Sequence, residues 1–376
     1  MPKKDTAETI KPHTEAKLQF YIRYLERYLS ILLRAKGIGT INIYDMYSGA
    51  GIYDDGNSGS AVRAVDVIWE QKTKAATSTT VNLLLNELKS NKAKQLENLL
   101  CSRQDPKKGV SIGFRNVEAA TLLESLPTDI QSQSRNTRNF VFIDPYGYKD
   151  IDPNLLSNIM NVGKTEIVLF LPIEDMYRFL SCTEDSDVDK AFQPLKRFID
   201  SLAISYSQVN SESDFIAKIQ FSLEEVCRCY CTSYSIKNHN GRLYAMFFIT
   251  SNLKGLEKII EVKWGLDSSR GEGFTGHAQQ DFFLEAEKID NLENDLRRFL
   301  SGSTRTNADL YQFVLRLGFL PKQANGIFRK WQKDSILEVF DLIKGKAARK
   351  GTFKLNYRDS QNDAPLLEFR LNEVNT

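Results

Sequence analysis

At 376 residues the chain is long enough for two domains of ordinary size, and its apolar fraction of 41% supplies a sizeable core and excludes global disorder. Fifty basic residues against 48 acidic ones leave a net charge of +2, which by itself favours no class of partner. No apolar run reaches the roughly 20 residues that span a bilayer, and Met1-Pro2-Lys3-Lys4-Asp5 lacks the apolar core of a signal peptide, so the expectation is a soluble, cytoplasmic protein with no membrane partner.

In chain order, residues 1–10 are polar and read as a disordered tail. Residues 11–34 read as one amphipathic helix with Leu18, Tyr21, Ile22, Leu25, Tyr28, Leu29 and Leu32 at helical spacing and with Thr14, which Pro12 precedes, as its cap. Strands at 40–46, 81–85, 110–114, 140–143 and 167–171 then alternate with helices at 61–74, 89–101, 119–126 and 155–161. That alternation implies a parallel sheet covered by helices on both faces. Residues 181–228 are polar and helical and read as an insertion. After them, strands at 230–237 and 242–250 flank Asn238-His239-Asn240-Gly241, a strong hairpin signal.

An antiparallel hairpin closing a parallel sheet characterises the methyltransferase variant of the doubly wound fold, whereas the sheet plan alone does not separate it from a dehydrogenase. The expected fold is therefore α/β: a Rossmann-like class I methyltransferase sheet over residues 11–300 with a terminal antiparallel hairpin. Ser301-Gly302-Ser303-Thr304 reads as a linker to a winged-helix-like domain at 301–376. There, helices at 307–316 and 322–333 precede strands at 336–343 and 351–357 that pair across a basic tip.

Five cysteines, an odd number, fit reduced thiols. Cys227, Cys229 and Cys231 form C-x-C-x-C, whereas zinc usually takes C-x2-C pairs. On a strand this spacing lays all three on one buried face, so the expectation is buried thiols and no metal.

The run from Ile41 to Gly51 carries the most chemistry. A strand ends in Asp45, Gly49-Ala50-Gly51 follows, and after Gly56 and Gly59 comes Ser60, a cap for a helix opening at Ala61. This is the plan of a nucleotide-cofactor crevice, in which glycines let backbone approach a ligand. For S-adenosylmethionine, Gly49 and Gly51 would face the methionine part, with Asp45 acting directly or through water. Glu87, after the second strand, suits the ribose hydroxyls; its bland alternative is an acid at a helix start. Asn116 and Glu118 follow the third strand, where such folds meet the adenine edge.

Asp144-Pro145-Tyr146-Gly147-Tyr148 stands at the fourth strand end. Enzymes that methylate exocyclic amines of bases carry Asp/Asn-Pro-Pro-aromatic here: the side-chain oxygen and a proline carbonyl accept the amine's hydrogens, and the ring stacks on the base. Only one proline is present here, and Tyr146 occupies the place of the second. An Asp-Pro turn is the alternative. His13 and Lys17, one turn apart, face one pocket or merely a solvated helix start.

Taken together, Lys11-Pro12-His13-Thr14-x-x-Lys17, Asp45-x-Tyr47-Ser48-Gly49-x-Gly51-x-Tyr53-x-x-Gly56-x-x-Gly59-Ser60 and Phe142-Ile143-Asp144-Pro145-Tyr146-Gly147 resemble the bacterial three-Cys-motif partner proteins. The run Tyr244-Ala245-Met246-Phe247-Phe248-Ile249-Thr250, with Lys254-Gly255-Leu256 and Trp264, is similar to the same family. The resemblance implies a class I methyltransferase-like fold and a partner protein with three clustered cysteines, itself similar to radical S-adenosylmethionine enzymes. Those cysteines belong to the partner, so Cys227, Cys229 and Cys231 gain nothing from it. The resemblance also implies that His13, Lys17, Tyr47 and Tyr53 belong to the pocket, and it supports Asp144 without naming the acceptor.

Between residues 322 and 354, nine basic residues face three acids, leaving about six positive charges. Lys322, Arg329, Lys330, Lys346, Arg349 and Lys350 are the expected contacts to a nucleic-acid backbone, although a solvated face or a protein-docking module fits as well. The expectation is an S-adenosylmethionine-dependent methyltransferase acting on a nucleic-acid amine or base nitrogen with a three-cysteine partner. In it Asp144 and Pro145 orient the amine, Tyr146 stacks and Lys17 holds a phosphate or carboxylate. The alternative, favoured by the missing second proline, is a catalytically silent protein that binds and regulates that partner.

Overall fold

The chain divides into two compact units, Met1–Ser251 with Glu272–Ala278 and Asn252–Gly271 with Gln279–Thr376. A computed structural model describes residues 9–184, 188–274, 282–362 and 364–372 of it. The tail expected at 1–10 therefore lies, as far as residue 8, outside the described residues.

In the first unit the order is α1 (Pro12–Leu32), β1 (Thr40–Asp45), α2 (Ser60–Ala75), β2 (Thr80–Asn86), α3 (Ser90–Leu100), β3 (Val110–Arg115), α4 (Ala119–Ser132), β4 (Thr137–Ile143), α5 (Pro153–Val162), β5 (Thr165–Leu171), α6 (Ile173–Arg178), α7 (Gln193–Ser201), α8 (Glu212–Cys227), β6 (Tyr230–Lys237) and β7 (Leu243–Thr250). The short strand β8 (Gly273–Phe274) completes a sheet of order β3-β2-β1-β4-β5-β7-β6-β8. Strands β1 to β5 run parallel, and β7 enters antiparallel between β5 and β6. This strand order, with its reversed β7, is that of a class I methyltransferase sheet.

Every residue of β5 and nearly every one of β4 is buried, because helices cover both faces at these central strands. Asn42, Asn82 and Asn139 stand in register on β1, β2 and β4 and pass amide hydrogen bonds across them (3.1 and 2.9 Å). This polar ladder resists a register slip. Against β4, β6 and β7, α1 lays an aromatic face: Tyr21 stacks on Phe142 at 4.0 Å, while Tyr24 meets Phe248 and Phe20 meets Tyr234. On β5, Glu166 is buried between two donors, the hydroxyls of Tyr24 and Thr250. The helices expected as an insertion form part of the covering layer: Phe198 of α7 and Phe215, Ile219 and Leu223 of α8 share one core with β4, β5 and β7.

Three local expectations change. The cap of α1 is Lys11 rather than Thr14, with Pro12 in the first turn, and the cap of α2 is Gly59 rather than Ser60. The three clustered cysteines do not share one strand face. Cys227 ends α8, Cys229 lies in the connection and Cys231 is on β6, because the helix runs on to within two residues of the strand. Burial pushes the Cys227 thiol up to about 12 and that of Cys229 to about 11. Among the described residues no group of three metal-ligating side chains occurs, and no helix is long and apolar enough to cross a membrane.

The second unit holds α9 (Leu253–Leu266), α10 (Phe282–Leu300), β9 (Arg305–Thr306), α11 (Asn307–Arg316), α12 (Pro321–Lys333), β10 (Leu337–Asp341), β11 (Lys346–Ala347), α13 (Tyr357–Ser360) and β12 (Leu367–Leu371). Its sheet has the order β11-β10-β12-β9. A capping box at Thr306 and Asp309 opens α11. Residues 292–300, expected to end the first domain, belong to this unit as the last turns of α10, where Leu292, Leu296 and Leu300 are buried. So does α9, whose Trp264 donates to the Gly318 carbonyl at 2.9 Å. The strand expected at 351–357 is absent, and β10 pairs instead with β11 and β12. Phe353 and Leu355 alternate like strand residues, but Lys354 has φ +50°, and Phe353 packs beside Phe328 and Phe369 without joining a ladder.

Candidate active site

At the carboxyl ends of β1 and β4 lies a cavity of about 260 Å³. Eight of the predicted residues line it: Lys17, Tyr47, Gly49, Gly51, Tyr53, Asp144, Pro145 and Tyr146. Carboxyl ends of parallel strands are where open α/β sheets bind ligands.

The glycine loop owes its shape to residues beneath and beside it. Gly49 and Gly51 have φ of +64° and +86°, which a side chain opposes, and a Cβ on Gly51 would stand 2.9 Å from Leu96 Cδ1. Asp45 is fully buried under the loop and does not line the cavity. Its carboxylate accepts from the Ser60 hydroxyl (2.7 Å) and from the Tyr47 backbone N–H (3.2 Å). Burial pushes the Asp45 carboxyl up to about 6 against the pull of those two donors, with Asp144 adding to the rise. Arg63 clamps the far side: its guanidinium grips Glu15 of α1 bidentately (2.8 and 2.7 Å), and its Nε donates to the Ser58 carbonyl (2.8 Å). Burial also raises the Tyr47 phenol, whose hydroxyl finds no partner among the described residues.

Opposite the loop, Lys17 Nζ lies 2.5 Å from Asp144 Oδ2, with the side chains 14% and 18% exposed. The Phe170 ring of β5 lies 4.7 Å from the same ammonium. Because Tyr21, one turn on, is stacked on Phe142, the packing of α1 fixes where Lys17 emerges. Tyr146 is 75% exposed with Lys89 Nζ 5.8 Å from its ring, whereas Tyr148 packs against the core.

Four predicted residues stand apart from the cavity lining. Asp45 is the buried support just described. His13 stacks on Tyr244 (5.7 Å), and burial, then the cations Lys11 and Lys17, hold its imidazole below the usual range. Glu87 is buried and accepts from the Lys89 backbone N–H, and Glu118 is exposed at the start of α4. Asn116 donates to the carbonyls of Glu87 and Leu88 and so ties two strand ends together. Sequence reasoning missed Thr14, Ser48, Lys92 and Phe170 in the cavity, and the exposed apolar pair Leu88 and Val117 at the neighbouring strand ends. The spacing Thr14-x-x-Lys17 carried a signal for the first and the motif Tyr47-Ser48-Gly49 for the second; the others depend on tertiary placement.

In the second unit, Lys322, Arg329 and Lys330 are exposed on α12, Lys346 on β11, and Arg349 and Lys350 just beyond it. Lys330 is bound to Glu293 at 3.2 Å. Among the described residues the other five make no ion pair. Lys322, Arg329 and the also exposed Lys333 recur at seven and then four positions and so share one helix face.

The model of the GMT-like wHTH domain family matches residues 272–342, and the chain carries that domain there. No curated protein matches the sequence. Among solved structures, the O-methyltransferase of Bacillus cereus in complex with SAH is similar at 15% identity, over 65% of this chain and 84% of that one, with a TM-score of 0.33. The O-methyltransferase TomG of Streptomyces achromogenes in complex with SAM is 13% identical over 65% and 92%, with a TM-score of 0.32. A SAM-dependent methyltransferase of Aquifex aeolicus is 10% identical over 60% and 89%, with a TM-score of 0.25. The fold assignment rests on the strand order and register, not on these likenesses.

Proposed function

We propose that the chain is an S-adenosylmethionine-dependent methyltransferase that acts on nucleic acid together with a three-cysteine partner protein. The convergence of the glycine loop, Lys17 and Asp144 on one cavity at the strand ends carries the reading. The cavity suits the cofactor. The left-handed turn at Gly49 leaves open space where a side chain would be, Thr14 and Ser48 stand in the wall, and Tyr47 offers a buried hydroxyl. S-adenosylmethionine, when bound, supplies the methyl group and takes the electron pair of the breaking C–S bond on sulfur. The backbone of Gly49 and Gly51 with Lys92 would hold its carboxylate. Leu88 and Val117 would flank the adenine, with Glu87 and Glu118 beside the ribose and the adenine edge. Tyr53 would close over the loop, and His13 would buttress Lys17 from α1.

The three basic residues on one face of α12 support the nucleic-acid part of the reading, since the second helix of a helix-turn-helix is the one that enters a groove. Lys346, Arg349 and Lys350 would add phosphate contacts. The three-cysteine partner follows from the sequence resemblance. Asp144→Ala tests the site: methyl transfer should vanish while cofactor binding persists, and a variant with unchanged transfer would refute the assignment.

A further inference from the structure

We propose that Lys17 and Asp144 are an acid–base pair whose methyl acceptor is a hydroxyl oxygen, the 2′-hydroxyl of an RNA ribose. This rests on reading the cavity as a methyltransferase site. In an amine-methylating site the strand-end carboxylate or amide stays open to accept the amine's hydrogens, and rings enclose the base. Here one oxygen of Asp144 is already held by Lys17 at 2.5 Å, so a cation stands where a neutral amine would lie. The two tyrosines of the strand-end motif do not enclose a base: Tyr146 is 75% exposed, and Tyr148 packs against the core outside the cavity lining.

The pair suits an alcohol. An amine attacks through a lone pair it already has, whereas a hydroxyl is a weak nucleophile until its proton leaves. As the acceptor oxygen forms its bond to the methyl carbon, the C–S bond breaks and its electron pair passes to sulfur. The hydroxyl proton passes to Asp144, and the Lys17 ammonium stabilises the negative charge developing on oxygen. Atoms and charge balance without a further reactant. The ammonium is aimed by two independent packings, its own position over Phe170 at 4.7 Å and Tyr21 stacked on Phe142 one turn along α1. Within a nucleic-acid chain only RNA offers an internal hydroxyl, so hydroxyl chemistry combined with a nucleic-acid acceptor selects RNA.

The test incubates the full chain and S-adenosylmethionine labelled in its methyl group with bacterial total RNA or genomic DNA. The labelled product is then hydrolysed with alkali and digested to nucleosides. The expected result is label in RNA alone, in alkali-resistant dinucleotides that yield ribose-methylated nucleosides. Lys17→Met and Asp144→Asn should each lower kcat by about 100-fold or more while cofactor affinity stays within about threefold. Label on a base nitrogen, or full activity in Lys17→Met, would overturn this inference and leave the methyltransferase reading standing. Cofactor binding with no label in either nucleic acid, both for the chain alone and after addition of a bacterial extract that supplies the partner, would overturn both.

Discussion

Replacing the buried Glu166 with Gln should stabilise the first unit at alkaline pH and leave it little changed in acid. In the folded chain this carboxyl sits on the fully buried strand β5, and burial raises it from an ordinary 4.5 to about 7 despite hydrogen bonds from Tyr24 and Thr250. Below pH 4.5 both folded and unfolded chains hold the proton, and the group imposes no penalty. Between 4.5 and 7 the folded state binds more protons than the unfolded one, so stability falls as pH rises and levels off above 7. A rise from 4.5 to about 7, at about 1.4 kcal/mol per pH unit, makes the penalty about 3 kcal/mol at pH 8. Gln cannot ionise, and both hydroxyls can rotate to meet its amide. Urea-dependent hydrogen exchange of the β5 amides measures the opening free energy of both proteins at pH 5 and pH 8. The advantage of the variant should grow by about 2–3 kcal/mol across that interval. A difference that stays constant with pH would show that Glu166 is not buried as a proton-holding carboxyl.

Arg63→Ala removes the double grip on Glu15 and the bond to the Ser58 carbonyl. Because Glu15 is 38% exposed, the loss should be about 1 kcal/mol, read as about fivefold weaker cofactor binding by calorimetry; unchanged affinity would show that the clamp does not shape the loop. For the second unit, Lys322→Gln, Arg329→Gln and Lys333→Gln together should lower the slope of log affinity for RNA against log salt by about 2, as filter binding would record. Lys330→Gln should change that slope much less, since Glu293 already holds this lysine; equal effects at all four sites would argue against a phosphate-contacting face.

Much of the first unit was legible because its signals are local. The glycine loop, the strand-end Asp144 and the Asn-Gly hairpin each follow from backbone preferences of a few adjacent residues. What the residue types left open is decided by the hydrogen bonds and packing of the folded chain. Asp45 sits at a strand end as a ligand-contacting acid would, yet Ser60 and the Tyr47 N–H hold it beneath the loop. Glu87 accepts from the Lys89 N–H at the start of its own helix, a contact that the residue types alone did not show. The alternation at Phe353 and Leu355 imitates a strand, but β10 pairs with β11 and, further along, with β12, where Leu367 and Phe369 are buried and Phe369 meets Phe328 of α12. Lys92 and Phe170 carry no motif, and only the arrangement of α3 and β5 around the strand ends brings them to the cavity.

Everything proposed for the first unit depends on the glycine loop binding S-adenosylmethionine. Calorimetric titration of the full chain with S-adenosylmethionine and S-adenosylhomocysteine, alongside a Gly49→Val, Gly51→Val variant, tests it most directly. Both ligands should bind with micromolar affinity that the variant loses, because both positions need positive φ and a side chain at Gly51 meets Leu96. A folded wild-type chain that binds neither ligand, or a folded variant that binds both as tightly, would contradict it.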